Sequence, residues 1–305
     1  MALPTVAFQG ERGSFSEEAA YKHLGLHIRV QPCETFAATF QSVAGGKSRY
    51  CLVPIENTLA GSVYENYDLL LENRLHIVAE VNLRIVHNLV AFPGTVLNDL
   101  RQVYSHPVAL AQCSRFFRSH PKIEKIPYYD TAGSVKMLSE RRTPGAAAIA
   151  SRVAARVYHG RILQAHLEDH PENFTRFLLL SRAPAASPQA NKVSIVFSTR
   201  NVPGALHKCL SVFALRDIDL TKMESRPLRG RPWEYFFYLD FMGNIKEKSC
   251  RNAISHLAEV TNFLRVLGCY PRARPSRPVR KSRPAGAHLP AAAGAVWAVG
   301  TESQT

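Results

Sequence analysis

The residues Asn173-Phe174-Thr175-Arg176-Phe177 carry the densest chemistry in this sequence. A small hydroxyl stands beside a permanent cation between two aromatic rings. That combination suits binding a small carboxylate and handling one of its oxygens. Arginine offers a planar fork that meets a carboxylate with two hydrogen bonds. Threonine offers a short donor and acceptor with a stiff χ1, so its position can be held closely. Phenylalanine rings exclude water, which strengthens both interactions. A Thr-Arg pair alone in a mixed strand is usually an ordinary surface feature, so the elements that would position it carry the argument.

Those elements are a series of strand-to-helix passages. Val6-Ala7-Phe8 reads as a first strand, and Ser14 with Glu17 has capping-box spacing for a helix through Tyr21 and Leu24. A glycine turn into a helix N-terminus is a natural anion seat. No Gly-Lys-Ser/Thr follows and no GxGxxG is present, which excludes a P-loop and a dinucleotide fingerprint. Cys51–Ile55 reads as a buried strand running into Glu56-Asn57-Thr58 and Gly61, a polar turn that opens the next helix. Polar residues at the carboxyl end of a buried strand lie where open α/β sheets bind ligands. From Ile77 to Phe92 the alternation predicts strands and a crossing into a second lobe. Ser105-His106-Pro107 marks another strand end, with Gln112 in the first turns of its helix. Tyr129–Val135 and Ala147–Ser151 repeat the design. Five such passages predict an α/β architecture.

Residues 182–191 have linker composition, separating a region over 1–181 from one over 192–271. The second region reads βαββαβ, the order of a compact ferredoxin-like module. Its glycine turn precedes a helix starting near Ala205, and Glu224-Ser225-Arg226-Pro227 closes its second strand, which the proline places at an edge or interface. Residues 272–305 are rich in Pro, Arg and Ala with almost no core formers, and are expected to be a disordered tail adding neither fold nor catalysis.

At 305 residues and 46% hydrophobic content the chain has room for two domains with real cores. No apolar run approaches the roughly 20 residues that span a bilayer, and no basic-then-apolar leader opens the sequence. The six cysteines lack CxxC spacing, and the histidines, His23, His27, His76 and His87 among them, lack metal-ligand spacing and read as surface or satisfied residues. Cytoplasm is the expected location. The net charge is +14, of which +5 sits in the last 34 residues. The moderately basic body that remains suits an enzyme of anionic metabolites. Neither nucleic acid nor a membrane is expected as a partner.

Val53-Pro54-Ile55-Glu56-Asn57, Gly61-Ser62-Val63, Ser105-His106-Pro107, Asp130-Thr131-Ala132-Gly133 and the Asn173–Phe177 stretch together resemble the prephenate dehydratase family, whose close relatives are the arogenate dehydratases of plants. Pro203-Gly204-Ala205-Leu206 and Glu224-Ser225-Arg226-Pro227 resemble the family's ACT regulatory domain. The likeness runs from about residue 5 to Ala273. Val108 departs from the glutamine common in relatives at that position, and Thr58 replaces the more usual serine.

The resemblance implies two α/β lobes like those of a periplasmic binding protein, with the active site between them. It implies conversion of prephenate to phenylpyruvate without cofactor or metal. Thr175 is then the catalytic residue, with Asn57, Ser105, Gln112, Thr131, Arg176 and Phe177 binding substrate. Thr175 would hydrogen-bond the departing hydroxyl and Arg176 would anchor the pyruvyl carboxylate. The ring carboxylate leaves as neutral carbon dioxide, so gripping it would slow the reaction. An ACT domain implies phenylalanine as effector, bound by Asn201, Gly204, Ala205, Leu206, Glu224, Ser225, Arg226 and Pro227 between the subunits of a homodimer or homotetramer. Arogenate as substrate, and a non-catalytic amino-acid sensor, remain as alternatives.

Overall fold

The structure, a computed structural model, describes residues 3–184, 187–228, 230–231 and 233–273. The first lobe comprises β1 (Thr5–Gln9), α1 (Phe15–Leu24), β2 (Arg29–Cys33), α2 (Phe36–Ala44), β3 (Tyr50–Asn57), β4 (Gly61–Ser62), α3 (Tyr64–Glu72) and β5 (His76–Arg84). The chain then crosses to a second lobe made of β6 (Asn88–Ala91), β7 (Gln102–Ser105), α4 (Pro107–Ala111), α5 (Ser114–Ser119), β8 (Glu124–Pro127), α6 (Thr131–Arg141), β9 (Ala146–Ala150), α7 (Arg152–Val157) and β10 (Arg161–Gln164). It returns as β11 (Phe174–Ser181), which inserts into the first sheet between β3 and β5, antiparallel to both. The two sheets run β2-β1-β3-β11-β5, with β4 beside β3, and β10-β6-β9-β7-β8.

Local chemistry explains the helix starts. Ser14, Thr35, Asp130 and Ser151 each accept a first-turn N–H, so four helices have a satisfied N-terminus. Strand β9 is nearly all alanine and buried throughout; its alternate residues serve cores on opposite faces of the second sheet. A strand covered on both faces needs no polar alternation.

The third sheet contains β12 (Lys192–Ser198), β13 (Leu220–Pro227), β14 (Tyr235–Met242) and β15 (Phe263–Tyr270), with helices α8 (Ala205–Ala214) and α9 (Lys248–Val260). Its order β13-β14-β12-β15 and antiparallel pairing give the ferredoxin-like topology that the sequence predicts. One face packs on α8 and α9 through Phe197, Phe213, Leu239 and Leu257. The other joins the first lobe's core, where Val196, Tyr238, Leu267 and Tyr270 meet Val53, Ile77 and Leu178. Arg265 donates to the carbonyls of Leu71, Asn73 and Leu75 across this junction.

Gly268 of β15 lies so near the Ile77 carbonyl that a Cβ would overlap it. Both groups are backbone and cannot swing aside. Gly268→Ala should therefore push the sheets apart and cost about 1–3 kcal/mol, read as a lower Tm; an unchanged Tm would show that the junction yields freely.

The expected tail starts two residues too early. Arg272 N donates to Asn191 Oδ1 at 2.7 Å and Ala273 N to Glu80 Oε1 at 2.8 Å, so both residues are tied down. The remainder, 274–305, lies outside the described residues.

Candidate active site

The two crossing segments pair with each other. Ile85 N donates to Asn173 O at 2.8 Å and Leu167 N to His87 O at 2.9 Å. Glu168 clamps them, receiving Arg84 Nη2 at 3.2 Å and the His87 N–H at 3.0 Å. A cavity of about 290 Å³ opens beside these crossings, between the lobes. Asn57, Gln112, Thr131, Thr175 and Phe177, all predicted from sequence, line it together.

Register explains the central contact. Thr175 on β11 is the partner of Asn57 on β3. Asn57 Nδ2 reaches Thr175 Oγ1 at 2.9 Å, Asn173 Oδ1 at 2.8 Å and Phe174 O at 3.1 Å. Asn57 Oδ1 accepts from the N–H groups of Leu59 and Ala60, the turn after β3. The amide is thus oriented by its own turn, and it fills an acceptor position of the Thr175 hydroxyl. The hydroxyl hydrogen is left to donate into the cavity.

Gln112 extends this network. Its Oε1 accepts from Asn173 Nδ2 at 2.9 Å and lies 2.9 Å from His87 Nε2, which makes Nε2 the donor in that contact. The His87 reading from sequence was incomplete: it is a buried member of the cavity wall, packed edge-on against Phe15. Its place in the crossing segment was the available signal, since such segments border an interlobe cleft. His87 Nδ1 has no hydrogen-bond partner among the described residues. Burial lowers the His87 pKa, outweighing the Gln112 hydrogen bond and the Glu168 charge, which raise it. A depressed folded-state pKa means that the neutral ring stabilises the fold above about pH 6.5. That contribution is lost as pH falls through the lower folded value. His87→Gln should then lose Tm less steeply on acidification than the unaltered chain; parallel curves would show no such linkage.

Ser14, Phe15, Thr131 and Asp130 bring the starts of α1 and α6 to the cavity, while no lysine or arginine lines it among the described residues. Burial raises the Asp130 pKa against the opposing hydrogen bonds of Gly133 and Ala132. Gly13 (φ +84°) lets the loop before α1 lie against Ala154 of α7, where a Cβ would be 2.5 Å from Ala154 Cα. Ser151 Oγ donates to Gly13 O at 2.6 Å, and Glu11 meets Lys136 at 3.1 Å, so this loop bridges the lobes.

Two predicted substrate residues are not in the cavity wall. Arg176 faces the opposite side of the sheet because successive strand residues alternate. Its guanidinium contacts Glu80 at 2.7 Å, Asp240 at 2.7 Å, Glu56 at 3.4 Å and the Tyr270 hydroxyl at 3.1 Å. Burial alone would lower its pKa, but Asp240, Tyr270, Glu80 and Glu56 outweigh that and raise it. Ser105 is fully buried and donates to Ile149 O at 2.6 Å, tying β7 to β9 behind the cavity; the inward phase of its strand takes it there.

The predicted effector residues divide by the same alternation. Glu224 binds Ser62 and Arg226 binds Asp68 through two hydrogen bonds at 3.1 and 3.0 Å, both facing the first lobe. Ser225 and Pro227 pair with Phe237 and Tyr235, of which Phe237 packs with the helix-side core. Gly204 (φ +76°) begins α8 with open space where a Cβ would stand, Asn201 is exposed, and Ala205 and Leu206 start the helix on that side.

Two α/β lobes enclosing a hydroxyl–amide network, with a βαββαβ module behind, define a two-lobed α/β protein with an interlobe cavity. The family model for prephenate dehydratase matches residues 6–185. The chain belongs to the prephenate dehydratase family. It is 44% identical over 278 residues to arogenate dehydratase/prephenate dehydratase 2, chloroplastic, of Arabidopsis thaliana, covering 87% of this chain and 72% of that one. Among solved structures, prephenate dehydratase from Arthrobacter aurescens in complex with L-Phe is 32% identical, with a TM-score of 0.81 over 88% of this chain and 90% of that one. GqqA, described as a novel type of quorum quenching acylase, is 33% identical, with a TM-score of 0.82 over 89% of this chain and 98% of that one.

Proposed function

We propose that the interlobe cavity binds prephenate and converts it, with one proton, to phenylpyruvate, carbon dioxide and water. The observation that carries this reading is the Thr175 hydroxyl, whose oxygen takes a hydrogen bond from Asn57 and whose hydrogen is free to meet a leaving hydroxyl. Loss of carbon dioxide and water makes the ring aromatic, so the protein has only to align the substrate and stabilise the departing oxygen. With Arg176 turned away, the pyruvyl carboxylate is assigned to the start of α1, where Ser14 and Phe15 border the cavity and the positive end of the helix dipole favours an anion. Phe177 and Phe15 exclude water around it.

Purified chain should turn over prephenate to phenylpyruvate, which is followed directly. Running arogenate in parallel separates the two substrates, and turnover of neither would overturn the reading.

The C-terminal module is assigned as an ACT domain that binds phenylalanine at the Gly204 turn, with Asn201, Ala205, Leu206, Ser225 and Pro227 assigned to the same site, between subunits of a homodimer or homotetramer. Its topology and open glycine turn support this, as does a relative solved with L-Phe. Glu224 and Arg226 are assigned instead to docking the module on the first lobe. Gly204→Val, strained at positive φ, should remove the response to phenylalanine and keep basal turnover. Inhibition at the unaltered concentration would move the effector site elsewhere. A cytoplasmic location is part of the same reading, supported by six free cysteines, which fit a reducing compartment. Among the described residues no helix is long and apolar enough to cross a membrane.

A further inference from the structure

The reacting pair and the C-terminal module share two strands. Thr175 is in register with Asn57, and Arg176 with Glu56, across β11 and β3. The first pair faces the cavity. The second, one residue along each strand, faces the module, where Arg176 Nη1 meets Asp240 Oδ2 at 2.7 Å and Lys222 Nζ meets Glu56 Oε2 at 2.6 Å. Asp240 and Lys222 belong to β14 and β13. The register between β11 and β3 shifts immediately after Arg176. A bulge interrupts the ladder and increases the local twist, so the ladder by itself holds the two strands less firmly at this point.

We infer that Arg176 and Glu56 are positioning residues through which the C-terminal module, by Asp240 and Lys222, holds Thr175 and Asn57 at working distance. Side chains on opposite faces of a strand move with the same backbone. A fixed Arg176–Asp240 contact therefore fixes the direction of the neighbouring Thr175 hydroxyl, and a fixed Glu56–Lys222 contact does the same for the Asn57 amide. The module is then part of the active site's frame, and any displacement of it relative to the first lobe reaches the hydroxyl directly. This rests on the reading of Thr175 as the working hydroxyl.

The test uses the full chain with Asp240→Asn, which removes the charge that holds Arg176 but leaves it Glu80, Glu56 and Tyr270. The expected result is a fall in kcat of about tenfold with KM within about twofold, the sign of a lost transition-state geometry. Asp240→Glu should recover part of it. The side-chain amide resonance of Asn57, assigned by its absence in Asn57→Ala, should move in the same variant. Lys222→Met supplies the second arm, and stands alone if Asp240→Asn fails to fold. Unchanged kcat and an unmoved Asn57 resonance in a folded variant would overturn the inference, as would a rise in KM alone. If the unaltered chain turns over neither prephenate nor arogenate, the functional reading fails, and the Asn57 resonance by itself decides the positioning role.

Discussion

Thr175→Val should lower kcat by about 10²-fold or more while KM stays within about twofold. Valine keeps the branched shape on a strand position that is almost fully buried, so the cavity wall beside Phe177 and the pairing with Leu83 on β5 change little. What disappears is the hydrogen that the Asn57 contact leaves free for the cavity. A hydrogen bond to a departing hydroxyl strengthens as charge builds on that oxygen, so its loss raises the barrier more than it weakens substrate binding. A side effect is an Asn57 amide hydrogen without its threonine acceptor, although Asn173 Oδ1 and Phe174 O remain within reach. A rise in KM with kcat intact would show that Thr175 only binds.

Asn57→Asp should be more damaging still, with kcat down by about 10³-fold near neutral pH. The change is nearly isosteric, but it sets a carboxylate oxygen against three oxygens that now receive the amide, those of Thr175, Asn173 and Phe174. Donor is replaced by acceptor in a partly buried site, which costs about 1–3 kcal/mol for each polar group left unsatisfied. The introduced carboxyl is stabilised in its protonated form there, so its pKa is raised and activity should recover partially as pH falls through that value. A variant with full activity at neutral pH would show that the Asn57 amide does not orient the Thr175 hydroxyl. A fixed deficit at all pH values would show that the damage is structural.

Much of this protein is legible in its sequence, for reasons that are local. Strand alternation, capping residues such as Ser14 and Asp130, and glycine turns act over a few residues, and they place the strand-to-helix junctions where Asn57, Gln112 and Thr131 stand. The order βαββαβ followed from the same signals. Facing directions at β11 did not. Arg176 has the right chemistry for a carboxylate, and nothing within a few residues of it says which carboxylate it meets. That depends on β11 returning from the second lobe to lie between β3 and β5, which brings Glu56, Glu80 and Asp240 to one side of it and leaves Thr175 on the other.

His87, Ser105 and Glu224 make the same point at three other positions. Each has a side chain that could serve a ligand, and each one's partners lie far away in sequence: Gln112 for His87, Ile149 for Ser105 and Ser62 for Glu224. The sequence by itself determined which residue types were available and on which elements they sit, because those choices are made by backbone propensity and short-range hydrogen bonding. Only the tertiary structure decided which of them share a cavity and which tie the module to the lobe. A period-two strand offers two faces, and which one meets solvent, substrate or another sheet is settled by packing between segments about a hundred residues apart, as between Asn57 and Thr175.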